Sequence, residues 1–309
     1  MNFYEEYAQI NGIKQYFLHY PAPSSDTVLL FLHGGPGFTA AYRAYLLTAE
    51  ELPCSLVFYD QRGTGKTLIR NKTDKPVFSE LLEDLHATVA YLKKKYKTDK
   101  LLLLGHSWGS VLGSEYVLRH SNTVSAYIGM GQVVNMLRGE AAAFAELERR
   151  VWIKSRKRDI RKCEKLKQRL SFESHEAFRK SRRGLGMLRL RYGFCPNPFT
   201  GIKTVLKSPV FHIKDIPFLI LSFLKSSKLD QFLWEYDAAK NPAFPLPVYY
   251  ILGENDWQVP STVAAAFFDK ISAPRKRLFW IQDAGHSTDT DHPAAFWKAV
   301  KDIIKLEYV

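Results

Sequence analysis

The sequence is poor in the features that mark several protein classes. Its 309 residues include three cysteines, Cys54, Cys163 and Cys195. An odd number at wide, unpaired spacing argues against a disulfide framework and matches no structural metal motif. They read as small buried hydrophobes in a reducing compartment. The most apolar run, residues 216–224, contains Pro217 and falls far short of the roughly 20 residues that cross a bilayer. Residues 1–6 carry neither a basic nor an apolar leader segment, so a secretory signal is not expected and the chain reads as cytoplasmic. Low-complexity tracts and repeats are lacking. No His/Cys/carboxylate cluster has ligand spacing, so neither a metal nor an organic cofactor is expected.

What is present is an ordinary globular composition, with 46% apolar and 24% charged residues. The length suits one large α/β domain with an inserted subdomain. The net charge of +13 is unevenly placed. Residues 132–240 hold 24 Lys+Arg against 11 Asp+Glu, whereas the remainder holds 20 of each. The whole excess therefore belongs to one internal segment.

Hydrophobic patterning divides the chain the same way. Two alternating runs, Tyr4–Ile10 and Ile13–Tyr20, flank Asn11-Gly12 and read as a β-hairpin. Continuous apolar runs follow at 27–32, 55–59, 101–104, 124–130, 248–252 and 278–281, the pattern of strands buried on both faces of a parallel sheet. Helical stretches alternate with them at 79–96, 108–119, 261–271 and 293–306. This order predicts a doubly wound, mostly parallel sheet. The alternation fails between 132 and 240, where the chain is basic and mainly helical. The expected organisation is therefore a core of residues 1–131 and 241–309 with a helical basic cap at 132–240.

The chemistry-bearing residues sit at predicted strand ends. Gly105-His106-Ser107-Trp108-Gly109 follows a buried strand and opens a helix. Its glycines permit a sharp strand-to-helix turn that leaves the Ser107 hydroxyl exposed at the tip as a nucleophile. The plainer reading is a serine capping a helix. A hydroxyl needs a base, and in this fold the acid and then the histidine follow the nucleophile in the chain. Asp256, after the strand at 248–252, and His286, after the strand at 278–281, meet that order, just past the carboxyl ends of sheet strands. Glu254 and His292 are the nearby competitors, and His106 is expected to point away from the hydroxyl as packing. His33-Gly34-Gly35-Pro36-Gly37 follows the first long strand, where a backbone N–H, with that of Trp108, would form an oxyanion hole. Gly63-Thr64-Gly65-Lys66-Thr67 is only a partial phosphate loop, because Asp60 stands where its first glycine should be. The basic segment carries no nucleic-acid-binding motif, so no nucleic-acid partner is expected.

Together with Tyr59-Asp60-Gln61-Arg62-Gly63-Thr64-Gly65 and Gly253-Glu254-Asn255-Asp256, these motifs resemble the proline iminopeptidase family of α/β-hydrolases over about residues 27–130 and 245–309. The resemblance implies the α/β-hydrolase fold. It also implies a Ser107–Asp256–His286 triad, an oxyanion hole from the N–H groups of Gly35 and Trp108, and release of N-terminal residues, often proline, from short peptides. The loop 60–65 matches a framework segment rather than a reacting one. Family members use cap carboxylates to bind the substrate ammonium group. This cap is cationic and reads Lys225-Ser226-Ser227-Lys228 where such a glutamate often stands, leaving Glu173, Glu176 and Glu235 as substitutes.

Three functions are therefore weighed: an aminopeptidase, an esterase or amidase for neutral or anionic small molecules, and a non-catalytic ligand binder with the same fold. The expected partner is a small-molecule or short-peptide substrate. Residues 149–170 read as one basic helix with Ile153, Ile160, Cys163 and Leu170 along it. With the segment 211–224 it offers a surface for anionic membrane. The reading adopted is that these apolar residues close over the active site while the lysines stay in water.

Overall fold

A computed structural model describes residues 2–47, 53–71, 75–195 and 198–308. Its centre is an eight-stranded sheet of order β1-β2-β4-β3-β5-β6-β7-β8. The strands are β1 (Tyr4–Ile10), β2 (Ile13–Tyr20), β3 (Val28–Leu32), β4 (Ser55–Tyr59), β5 (Leu101–His106), β6 (Ala126–Met130), β7 (Val248–Gly253) and β8 (Lys276–Ile281). The first two form the antiparallel hairpin, closing at Ile10 opposite Ile13. Its turn residues, Asn11 and Gly12, both have positive φ, 43° and 79°, as a two-residue turn matched to the strand twist requires. β2 pairs antiparallel with β4, and from β4 to β8 every pairing is parallel.

The continuous apolar runs reflect cover on both faces. Along β3, Val28, Leu30 and Leu32 enter one core cluster while Leu29 and Phe31 enter the other, the two-residue period of a strand. The first cluster is roofed by α2 (Phe78–Tyr96), α3 (Trp108–Arg119) and α11 (Ser261–Phe268). The second lies under α13 (Pro293–Tyr308) and a 3₁₀ segment, Ala41–Leu47. Burying that much apolar surface, at about 25 cal/mol per Å², holds the strand ends rigidly enough to position side chains. β8 is an edge strand with Lys276 and Arg277 exposed, charges that discourage edge-to-edge pairing. Two short helices, α1 (Gly65–Arg70) and α12 (Thr288–Asp291), lie beside the strand ends.

Between β6 and β7 the chain forms α4 (Met136–Lys154), α5 (Lys157–Arg169), α6 (His175–Ser181), α7 (Leu185–Arg191), α8 (Pro198–Leu206), α9 (Ile216–Lys225) and α10 (Ser227–Glu235). The single basic helix expected over 149–170 is two helices. Ser155 adopts φ 49° and its N–H bonds back to the carbonyls of Val151 and Trp152, which ends α4 in a left-handed cap. The second helix turns inward: Cys163 and Leu166 of α5 pack with Ala143, Leu147 and Val151 of α4 and with Leu185 and Leu188 of α7. The other expected apolar stretch behaves differently, since Ile213, Ile220 and Leu224 are exposed. They do not close over the active site, because Val210, Phe211 and Leu219 already occupy the inward positions against the second cluster.

Candidate active site

Ser107 stands between β5 and α3 with φ 54° and ψ −118°, a conformation that costs of order 1–3 kcal/mol and persists only where its surroundings impose it. The neighbouring glycines show how it is imposed. A Cβ on Gly105 would lie 2.4 Å from the carbonyl oxygen of Gly109, and one on Gly109 would lie 2.2 Å from that of Leu32. Only hydrogen fits at either position. The Ser107 N–H is fixed to the Met130 carbonyl at 2.9 Å. Although Ser107 occupies the position that caps α3, its side chain makes no capping bond. Its hydroxyl is not spent on the helix, which removes the plainer reading of this serine.

His286 and Asp256 meet beyond the ends of β8 and β7. The Nδ1–H of His286 donates to Asp256 Oδ2 at 2.8 Å, because an ionised carboxylate can only accept. The other oxygen, Oδ1, accepts the backbone N–H groups of Gln258 and Val259 at 3.0 and 2.9 Å. Asp256 is buried and accepts one bond on Oδ2 and two on Oδ1. With its proton on Nδ1, the imidazole presents a lone pair at Nε2. That atom is buried and has no hydrogen-bond partner among the described residues. The bond from Ser107 Oγ to Nε2 is thus not formed here, and such bonds often tighten only around substrate. The competitors Glu254 and His292 are both exposed.

Sequence reasoning missed what holds the imidazole. His106 does not simply pack away from the site: its ring lies 4.8 Å from that of His286 and its Nε2 is 3.0 Å from the His286 carbonyl oxygen. Arg43 donates to His106 Nδ1 at 3.2 Å and pairs with the buried Asp289 at 3.0 Å. Burial, with His286 and Arg43 alongside, keeps His106 well below the usual histidine range. A neutral ring accepting at Nδ1 must donate from Nε2, so its Nε2–H donates to the His286 carbonyl oxygen. Gly131 closes the other side with φ 53°, and a Cβ there would lie 2.8 Å from His286 Cε1. No spacing rule connects Arg43, His106, Gly131 and Asp289; only the fold does.

Gly35, Ser107 and Trp108 line one cavity of about 260 Å³. Gly35 has φ 134°, and a Cβ there would lie 2.7 Å from the Gly37 nitrogen, so the tight loop demands glycine. Gln61 joins both elements expected to supply N–H donors. It accepts the Trp108 indole N–H at 3.0 Å and donates to the His33 carbonyl at 3.3 Å, while its own N–H goes to His33 Nε2 at 3.1 Å. Asp60 is fully buried, accepts the Lys66 N–H at 2.7 Å and bonds the Thr39 hydroxyl. Burial raises its carboxyl to about 7. These contacts make the 60–65 loop a brace behind the site.

The rest of the cavity wall includes Gln132, Val133 and Val134, Met136, Gly139 and Glu140 of α4, Arg182, Arg189 of α7, Leu233 of α10, and Val259 and Val263. Glu140 is the carboxylate of this wall. It is buried and receives two bonds from Arg189, at 2.6 and 3.2 Å. Arg189 Nε is buried without a partner among the described residues. Glu173, Glu176 and Glu235, the substitutes suggested by sequence, are all exposed, Glu176 paired with Lys180, and none lines the cavity. Glu140 escaped notice because the helical period alone does not say which face of α4 meets the sheet. Among the described residues no group of three or more His, Cys, Asp or Glu is arranged to hold a metal ion.

Residues 27–293 match the family model described as alpha/beta hydrolase fold, and the chain belongs to that family. Within it the chain is similar to proline iminopeptidases. It is 25% identical to the probable aminopeptidase YbaC of Bacillus subtilis over 93% of this chain and 92% of that protein. It is 32% identical to the proline iminopeptidase of Saccharolobus solfataricus, over 41% of this chain and 40% of that protein. The crystal structure of a proline iminopeptidase-related protein from Thermus thermophilus superposes with a TM-score of 0.66 at 21% identity, covering 99% of each chain. That likeness concerns the fold. The chain is therefore a hydrolase of this fold.

Proposed function

We propose that hydrolysis proceeds through an acyl-enzyme on Ser107. Ser107 Oγ attacks the substrate carbonyl while His286 Nε2 takes its proton, and Asp256 stabilises the imidazolium that results. The N–H groups of Gly35 and Trp108 receive the oxyanion; losing one such donor typically costs about 100- to 1,000-fold in rate. His286 then protonates the leaving group, and water releases the acyl group by the same steps in reverse. The observation that carries this reading is the 2.8 Å His286–Asp256 bond, leaving a buried, unpartnered Nε2, beside a serine whose hydroxyl is free of its helix. An organophosphonate is expected to label Ser107 stoichiometrically and Ser107→Ala not at all. A folded protein that resists labelling would instead be the non-catalytic binder.

The finer reading is an aminopeptidase that releases N-terminal residues, proline among them, from short peptides. Similarity to YbaC and the proline iminopeptidases supports it, as does Glu140, whose carboxylate keeps lone pairs beyond the two bonds to Arg189. A second reading, an esterase or amidase for neutral or anionic compounds, is favoured by that same ion pair. An incoming ammonium group meets a carboxylate already neutralised by a guanidinium. Turnover of a prolyl arylamide against its N-acylated counterpart separates them. If blocking the amine leaves the rate unchanged, the aminopeptidase reading fails.

A further inference from the structure

Helices α8 and α9 and the turn between them present an apolar outer face that the reaction does not use. Ile202 and Leu206 of α8 are 56% and 60% exposed, Ile213 in the turn 79%, and Ile220 and Leu224 of α9 62% and 67%. This is not a core face left undocked. On the inner side Val205, Phe211 and Leu219 pack against the second core cluster. The Tyr42 hydroxyl donates to Asp215 at 3.0 Å, and the Gly65 N–H donates to Ser222 Oγ at 3.2 Å. The segment is thus anchored with its second apolar face in water, an arrangement soluble chains rarely keep without a partner.

The charges around that face identify the partner. Ile202, Leu206 and Ile213 are each followed by a lysine: Lys203, Lys207 and Lys214. Lys203 stands about 100° round α8 from Ile202, and Lys207 and Lys214 are exposed beside Leu206 and Ile213, so these lysines flank the apolar stripe, where long basic side chains lay their stems along apolar surface and reach outward with their ammonium groups. Between residues 198 and 229 the one acidic residue is Asp215, which is buried. A second copy of the chain is disfavoured as occupant, because facing this surface with itself would set lysines against lysines with no exposed carboxylate to offset them.

We propose that this face docks on the surface of an anionic phospholipid bilayer, its apolar side chains entering the headgroup–acyl boundary and its lysines meeting the lipid phosphates. The combination of an apolar stripe with a basic rim is what interfacial helices use, and each lysine near an anionic surface adds to the attraction. Contact is with one leaflet only, since no described helix is long and apolar enough to cross a membrane. The proposal is independent of which bond the enzyme cleaves.

The test is sedimentation of the full-length protein with vesicles of phosphatidylcholine alone or mixed with phosphatidylglycerol. Partitioning is expected to be roughly tenfold stronger on the mixed vesicles and to drop by a similar factor in high salt. Ile220→Ser combined with Leu224→Ser should lower it roughly tenfold as well, with thermal midpoint and Ser107 labelling unchanged. Equal partitioning of this double variant and the wild type would overturn the proposal, because attraction would then arise from the basic helices generally. Failure of the wild type to prefer anionic vesicles would also overturn it. So would a dimer in solution that the double variant dissolves.

Discussion

Gly131→Ala probes the seat of the His286 imidazole without touching any residue of the proposed triad. The added Cβ would lie 2.8 Å from His286 Cε1 and 2.9 Å from Nδ1, where carbon atoms in ordinary contact stand about 3.5 Å apart. The ring must therefore retreat by about 0.7 Å. It cannot do so freely, because Nδ1 is bonded to Asp256 at 2.8 Å and the ring of His106 stands 4.8 Å away. A displacement near 1 Å at a catalytic group costs about 100-fold in rate, so kcat for an activated ester should fall by about that factor. The φ of 53° adds a backbone cost of about 1 kcal/mol, worth a drop of about 1.5 °C in thermal midpoint for a chain of this length. Gly139→Ala is the control. Gly139 lines the same cavity, but a Cβ there meets only Pro260 Cδ at 3.8 Å, so kcat should stay within roughly threefold. Should Gly131→Ala fold normally and retain full kcat, His286 is not the base.

His106→Phe should keep the ring stacking but lose the bond to the His286 carbonyl, lowering kcat about tenfold or more with KM nearly unchanged; steady-state kinetics on the same ester decide it. Arg189→Met should free Glu140 and, if the enzyme takes a substrate ammonium, lower KM for a prolyl arylamide. The unpaired carboxylate should also cost about 3–5 kcal/mol in urea unfolding, and an unchanged KM for the arylamide would count against Glu140 as the amine acceptor. Because Asp60 has its carboxyl raised to about 7 by burial, the folded chain keeps a proton that the unfolded chain has lost above about pH 4. That group's contribution should therefore lower stability as pH rises from about 4 to 7, and Asp60→Asn should flatten the slope seen in urea titrations at several pH values.

Local chemistry made much of this molecule legible in its sequence. Asn11-Gly12 dictates a two-residue hairpin turn, and that hairpin is found with both boundaries as expected. The runs that became β3, β4, β5, β6 and β7 are apolar at nearly every position because helices cover both sheet faces, so burial is written into each residue. The elbow glycines could be read for a related reason: each fills a position where a side chain would strike the backbone within 2.4 Å. Single residues encode such constraints, and they survive without knowledge of the rest of the fold.

What required tertiary structure was every relation that no local period records. Residues 43, 106, 131 and 289 gather near His286 because strand order and crossovers bring four separate segments to one sheet end. Glu140 meets Arg189 because α4 and α7 share a core, not because the charges have any fixed spacing. The basic stretch 149–170 splits at Ser155, where packing of α5 back onto α4 outweighs continued helix. The segment 211–224 shows the same limit from the other side. Its composition gives two apolar faces, and only the position of the core decides which of them is buried and which is left exposed.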